Sequence, residues 1–354
     1  MTDKSANTNN RPAASSAAAP ASTGFSIGGL FRHPAVGAFM GMVLVFIFFS
    51  IFGYDRNFLT AFGTSSWVNA ASTIGIIAIP IGFLMIAGEL DISIGAVVPA
   101  AKMAMAISVG YYGLPFVAGL LITFAIAGAI GWVNGTIVTR TNVPSLIVTL
   151  ATLFSVSGLT LFLSLLLTDT TSQAMPSPPW AKWLFGDYHF WGLQSSVFWW
   201  LFITGALYYV LHHSPWGNWI FALGGDKESA RNAGIPVNRL KIGLFVLAST
   251  AAALSGVCEA VLSNSATTTT NFALIFNTII AVVIGGVLLT GGFGTVAGIF
   301  FGTATLAIVQ QGIGYTPFDR NLSSLIIGVM LLIAVLMNDT IRKMATSMST
   351  SKKK

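Results

Sequence analysis

The sequence predicts an all-α polytopic membrane protein of about ten transmembrane helices, and three observations predict it. Of its 354 residues, 54 % are hydrophobic and only 8 % are charged, whereas soluble chains carry about a quarter charged residues. Mean hydropathy is +0.79. The apolar residues gather into runs close to the ~20 residues that a hydrocarbon core demands of a helix. The formal net charge of +6 does not argue for a nucleic-acid partner. Its basic residues are strung between the apolar runs and at the ends rather than gathered on one surface, the distribution that orients a chain in a lipid membrane.

Residues 1–33 read as a disordered tail, since Met1 to Gly24 is mostly Ala, Ser, Thr, Asn and Pro with scattered charge, too polar to bury. It does not read as a signal peptide, because the first apolar run begins only after Arg32 and His33. A transmembrane domain is expected over 34–339. Its spans are Ala35 to Gly53, Trp67 to Ala87, Ala96 to Val109, Pro115 to Val138, Pro144 to Leu167, Val197 to Leu211, Ile242 to Leu262, Leu274 to Leu289, Thr295 to Ile313 and Leu322 to Met337. Residues 340–354 form a basic tail. A polar and aromatic loop, Thr168 to Ser195, separates the fifth span from the sixth, and Ser263 to Asn271, rich in Thr, separates the seventh from the eighth.

Counting charge orients the chain. With both termini inside, the inner segments hold Lys4, Arg11, Arg32, Arg140, Lys227, Arg231, Arg239, Lys241, Arg342, Lys343 and Lys352 to Lys354, thirteen of the seventeen basic residues. The outer segments hold Arg56, Lys182 and Arg320, and Lys102 falls within the third span. Short loops rich in Lys and Arg stay cytoplasmic, so the expected arrangement is N-in, C-in. Spans two to five and seven to ten then enter the membrane in opposite directions, the parity of an inverted repeat, although the two halves show no sequence self-similarity.

The one long run of mixed charge lies in the loop 213–241, between the sixth and seventh spans. Within it Asp226 to Ala233 predicts a short helix, with Asp226 as N-cap, Glu228 in the first turn at the positive end of the dipole, and Arg231 further on. Gly234 ends it, and Pro236 keeps Ile235 extended. Such a helix, with charge on one face and Ala230, Ala233 and Ile235 on another, suits docking into a cleft. By residue type alone, a solvated loop is the more common case.

Two breaks interrupt the apolar runs. The first is Gly88-Glu89-Leu90-Asp91-Ile92-Ser93-Ile94-Gly95. Irregular backbone at membrane depth is tolerated only within protein or beside water, and ionisable groups there are functional candidates. Asp91 either caps the helix that follows or lines a solute path, and the two roles are compatible. Gly285-Gly286 and Gly291-Gly292-Phe293-Gly294 form the second break, where glycine permits close backbone approach. Glu89, Asp91, Ser93, Asn142, Glu259 and Asn264 are candidate solute-path residues, and Asn134, Gln310 and Gln311 read more readily as ties between helices. Lys102 is expected to snorkel or to pair with Glu89, Asp91 or Glu259.

Enzymatic chemistry has no footing in the sequence. No nucleophile, base and orienter set occurs, and His33, His189, His212 and His213 stand in separate polar margins without metal-ligand spacing. The single cysteine, Cys258, lies in an apolar run and reads as a packing residue. The chain has no G-x-x-x-x-G-K-[ST] run, so ATP-driven transport would require a separate ATPase.

Four segments together resemble one family, the ribose-type permeases of bacterial ABC transporters. The GELDISIG break is similar to their GG-[IL]-D-[IL]-S-[IV]-G. Asn142-Val143-Pro144-Ser145-Leu146-Ile147-Val148-Thr149-Leu150 is similar to V-P-x-F-I-V-T-L. Gly224-Gly225-Asp226 with Glu228, Ala230, Arg231, Gly234 and Ile235 resembles G-G-N-x-x-A-A-x-x-x-G-I, and Gly291 to Gly298 resembles G-G-x-G-[ST]-V-x-G. The order is right, and the likeness covers roughly Ser66 to Asp339. Glu89 stands where the family has glycine, Lys102 occupies an ordinarily apolar span, and no arginine ends the seventh span.

The resemblance implies a type II ABC importer permease in the bacterial inner membrane. It implies a permease homodimer, ATP-binding cassette subunits that carry ATP and Mg, and a periplasmic solute-binding protein. It makes Gly225, Asp226, Glu228, Ala230, Arg231 and Gly234 a helix coupled to the ATPase, with no cofactor on this chain. A monosaccharide or related polyol is the expected solute, with nucleosides or furanose-like signalling sugars as variants. The rival class is an ion-coupled secondary transporter that uses Asp91, Glu89 or Glu259 at a broken helix.

Overall fold

The computed structural model describes residues 34–332. The expected tails 1–33 and 340–354, and the last span beyond 332, lie outside the described residues. Twelve helices of functional interest follow in order. They are α1 (Pro34–Phe52), α2 (Ala61–Ile86), α3 (Ile94–Met105), α4 (Phe116–Arg140), α5 (Ser145–Thr168), α6 (Ser195–His213), α7 (Pro215–Gly225), α8 (Lys227–Asn232), α9 (Val237–Ser263), α10 (Phe272–Ile284), α11 (Val296–Gly312) and α12 (Leu322–Leu332). Two three-residue strands, β1 (Ser172–Ala174) and β2 (Ser265–Thr267), pair antiparallel with Gln173 opposite Ala266.

Each of the ten expected spans holds a helix where described. Among the described residues seven helical segments are long and apolar enough to cross a membrane unaided: α1, α2, α3 with its π-helical continuation to Tyr111, α4, α5, α9, and α11 with the turn to Tyr315. The sixth expected span is the helix α6, whose run is diluted by Trp199, Trp200, His212 and His213. The eighth is shorter than expected. It is the 13-residue α10, which at ~1.5 Å per residue covers only about 20 Å of a ~30 Å hydrocarbon core.

Burial sorts the helices into a centre and a rim. The apolar windows of α2 and α9 are 89 % and 78 % buried, against 11 %, 28 % and 17 % for α1, α4 and α5. Rim helices keep exposed apolar side chains, such as Leu121 and Trp132 on α4 and Phe154 and Leu166 on α5, because lipid is as apolar as leucine and gives them no reason to turn inward. Close packing therefore falls to small residues. A Cβ on Gly131 would lie 2.6 Å from the Phe245 carbonyl oxygen, and one on Gly135 2.6 Å from Ile242 Cα, so α4 rests on the α9 backbone. On the other side, Gly298 and Gly302 of α11 sit against the backbone of Gly285 and Ala281, closing α11 on α10.

Candidate functional site at the junction of two breaks

Three glycine-bearing stretches, widely separated in sequence, meet backbone to backbone. The Ile86 carbonyl at the end of α2 accepts from Gly292 N at 2.8 Å. A Cβ on Gly224, at the end of α7, would overlap that same Ile86 oxygen. A Cβ on Gly291 would lie 3.0 Å from both Gly88 Cα and the Gly224 oxygen. Gly88 and Gly291 hold φ of +80° and +83°, turns that a side chain would strain. The charged loop thus rests on both breaks at once.

From this junction the loop runs on as α8. Asp226 caps it, its carboxylate accepting from Ser229 N at 2.5 Å, and this N–H holds the Asp226 carboxyl below the usual carboxylate range. Glu228 and Arg231 are exposed, and Gly234 turns the chain with φ +82°. The expected docking face needs one correction. Ala230 is only 3 % exposed and belongs to the chain's own core, because the turn Ile235 N to Ala230 O folds α8 back onto α9. Its side chain anchors the helix instead of offering a surface, which leaves Asp226, Glu228 and Arg231 outward.

Beside the junction lies a cavity of about 430 Å³, whose lining includes Glu89, Asn142, Gly225, Asp226, Lys227 and Lys241. Lys241, in the second turn of α9, makes a buried ion pair with Glu89. The Lys241 ammonium is also the main reason that the Lys227 pKa falls below the ordinary lysine range, with burial adding to it. Lys241 is the residue that sequence reasoning missed. Its only signal is position: a lysine directly ahead of the apolar run that begins at Ile242, where residue type alone places it in the charged loop.

The first break itself is held by α4 and α5. Leu90 N donates to Ser145 Oγ at 3.1 Å and Ile92 N to Thr149 Oγ1 at 3.3 Å, so the first turns of α5 satisfy backbone donors that no helix reaches. Asp91 Oδ1 accepts from Ser93 N at 2.8 Å and from Ser93 Oγ at 2.6 Å. Asn134 Nδ2 donates to Ser93 Oγ at 3.0 Å, and Thr152 Oγ1 to Asn134 Oδ1 at 2.6 Å. Asp91 is 1 % exposed, and its Oδ2 is buried without a hydrogen-bond partner. It braces the break just ahead of α3, which begins at Ile94.

The six candidate path residues do not form one site. Glu89 and Asn142 line the cavity, and Asp91 and Ser93 lie in the break. Glu259 is at the far end of α9, about 27 Å from Lys241 at ~1.5 Å per residue, where it pairs with Lys102 of α3 at 3.1 Å. Of the three partners open to Lys102, Glu259 is the one it takes. Asn264 ends α9 in the left-handed region (φ 52°), and its carbonyl accepts from Met175 N at 2.9 Å. Among the described residues no group of three His, Cys, Asp or Glu side chains could hold a metal ion.

A broken-helix transport permease is the class that this geometry defines: apolar helices interrupted at one shared junction, with a charged loop seated on it. Residues 63–335 match the family described as branched-chain amino acid transport system / permease component, and the chain belongs to that family. It is 27 % identical to the fructose import permease protein FrcC of Rhizobium meliloti over 89 % of this chain and 88 % of the relative. Against the ribose import permease protein RbsC of Bacillus subtilis it is 27 % identical over 86 % and 92 %. Against the autoinducer 2 import system permease protein LsrD of Salmonella typhi it is 26 % identical over 79 % and 83 %. No solved structure matches the chain.

Proposed function

We propose that this chain is the membrane-spanning subunit of an ATP-driven importer in a bacterial inner membrane, carrying a monosaccharide or related polyol. The loop 213–241 faces the cytoplasm, and both termini lie on that side. ATP and Mg sit on separate ATP-binding cassette subunits, a periplasmic binding protein delivers the solute to the opposite face, and two copies of the chain form the permease. Asp226, Glu228 and Arg231 meet the ATPase, while Gly225 joins the end of α7 to the cap of α8, Gly234 turns the chain after it and Ala230 anchors it. The chain catalyses no covalent step.

One observation carries this reading: Gly224 rests on the Ile86 carbonyl, and Gly291 and Gly292 close over both. A push on α8 therefore reaches the ends of α2 and of the second break together, which is what a coupling element must do. The relatives support the same reading, since all three are import permeases of hydroxylated solutes or signalling molecules by name. An ion-coupled carrier that uses Asp91, Glu89 or Glu259 fits less well, because Glu89 and Glu259 are already neutralised by Lys241 and Lys102 and Asp91 is taken up in its turn with Ser93.

The test is mild solubilisation of the tagged protein from its native cells, wild type beside Glu228→Arg, with uptake of radiolabelled ribose and fructose measured in parallel. An ATPase subunit that copurifies with wild type and is lost from the variant, together with uptake, is the expected result. Uptake that persists in Glu228→Arg without any ATPase overturns the proposal.

A further inference from the structure

The Thr-rich stretch between α9 and α10 lies at the wrong depth for an ordinary surface loop. It leaves α9 beside β1, just past the end of α5 at Thr168. Within a few residues Thr270 shares a hydrogen bond with Ser157 (Oγ1 to Oγ, 2.7 Å), halfway along α5. That is a descent of about 17 Å at ~1.5 Å per α5 residue. Asn271 N then donates to the Gly95 carbonyl at 3.2 Å, in the first turn of α3. Residues 268–271 have no helical or strand structure, and Thr267, Thr269 and Asn271 are exposed. Irregular polar backbone cannot face lipid at this depth; it must be covered by protein or face water.

A second observation points to the same place. α2 has 26 residues and is followed by a break and the 12-residue α3; α9 has 27 residues and is followed by residues 264–271 and the 13-residue α10. One break starts at the junction with the charged loop and the other at the opposite face, and they touch at Gly95 and Asn271. Two helices, α3 with its π-helical continuation and the half-length α10, thus begin beside one another in the interior, the arrangement by which opposed repeats build a solute site from helix N-termini and unwound backbone.

We propose that Thr269, Thr270, Asn271 and Ser157 form the solute-contact surface at the middle of the translocation path, and that it takes a neutral, hydroxyl-rich solute. The stretch 264–271 carries no charged side chain. Threonine and serine hydroxyls both donate and accept, and Asn271, whose Oδ1 accepts from Leu274 N at 3.0 Å as the cap of α10, has its amide Nδ2 as a donor; this matches the mixed demands of sugar hydroxyls and supplies no charge to balance an ion. This deepens the importer reading and rests on it for the solute class, but the water-facing character of the stretch stands apart from it.

The experiment uses the full chain in its native membrane in a Cys258→Ala background, with single substitutions Thr269→Cys, Asn271→Cys and, as an exposed apolar position of α5 at similar depth on the face away from Ser157, Leu159→Cys. The probe is a membrane-impermeant methanethiosulfonate ammonium reagent. Thr269→Cys and Asn271→Cys are expected to react at least tenfold faster than Leu159→Cys; equal rates overturn the path. Uptake of labelled ribose and fructose is then compared in Thr269→Val and Thr269→Ser. A loss of at least fivefold in the first, with recovery in the second, supports solute contact, and wild-type rates in Thr269→Val overturn it. Fast labelling with uptake independent of ATP keeps the path and removes the importer reading, so the two failures are distinguishable.

Discussion

Lys241 donates to the carboxylate of Glu89, 152 residues earlier in the chain, and the two side chains retain only 6 % and 10 % exposure. The pair ties the start of α9 to the first break, immediately beyond the charged loop. Removing one partner strands a buried charge, a loss of about 3–5 kcal/mol in comparable sites, whereas removing both is far milder. Lys241→Met is therefore expected to lower the melting temperature in detergent sharply, and Lys241→Met with Glu89→Gln to recover most of the loss. A double-mutant cycle of thermal unfolding checks this. Additive effects would show that the two charges are solvated independently.

The contact between Gly224 and Ile86 makes a sharper prediction about coupling, because a methyl group there has nowhere to go. Gly224→Ala forces the loop away from the end of α2, and uptake is expected to fall at least tenfold while the chain still inserts and folds. Gly243→Ala on α9 is the control, since a Cβ there meets nothing within 4 Å and the residue lies outside the coupling loop. Solute uptake normalised to membrane-inserted protein reads the difference. Equal activity in the two variants would mean that the loop can shift freely on α2.

Much of this arrangement was legible in the sequence, for identifiable reasons. Apolar runs of bilayer length gave the helices, and local chemistry gave α8, since Asp226, Glu228 and Gly234 act on backbone within a few residues of themselves. Tertiary partners were less accessible. Nothing in the neighbourhood of Lys241 says that its aliphatic stem lies buried and its ammonium meets Glu89. The Thr-rich stretch read as a loop because composition reports polarity and not depth. Ala230 looked available on a helical wheel, but the wheel does not show that Ile235 folds the helix back on α9.

The cap on α8 has a defined pH window. The folded Asp226 carboxyl titrates below its ordinary range because it accepts from Ser229 N. A depressed pKa contributes stability above the unfolded value and loses it only as pH falls through the folded one. Between roughly pH 5 and 8, far above the ordinary Asp value of about 3.9, the cap stays charged and α8 is expected not to respond to pH through this group. Asp226→Ala removes the acceptor at every pH, and amide exchange over Lys227–Asn232 is expected to quicken severalfold, with Asp226→Asn close to wild type. A marked change in wild-type exchange through that window, absent in Asp226→Asn, would assign the titration differently.

Asn134 stands between the first break and α5, donating to Ser93 Oγ and accepting from Thr152 Oγ1. It has no exposed surface. Asn134→Leu removes both bonds at once: the Thr152 hydroxyl falls back on the Val148 carbonyl at 3.1 Å, but the buried Ser93 Oγ loses the donor that orients it toward Asp91, and a buried group left unsatisfied costs about 1–3 kcal/mol. Thr152→Val costs the Asn134 Oδ1 its donor but is milder, because it removes one bond and leaves the Asn134–Ser93 link intact. The expected order of thermal stability is wild type, then Thr152→Val, then Asn134→Leu, with the last also releasing the break from α4. If the break carries solute, Asn134→Leu lowers uptake by more than its loss of folded protein, since the Asp91–Ser93 turn that precedes α3 loses its brace. A fall in uptake that only tracks the fall in folded protein would make Asn134 a tie between helices and nothing more.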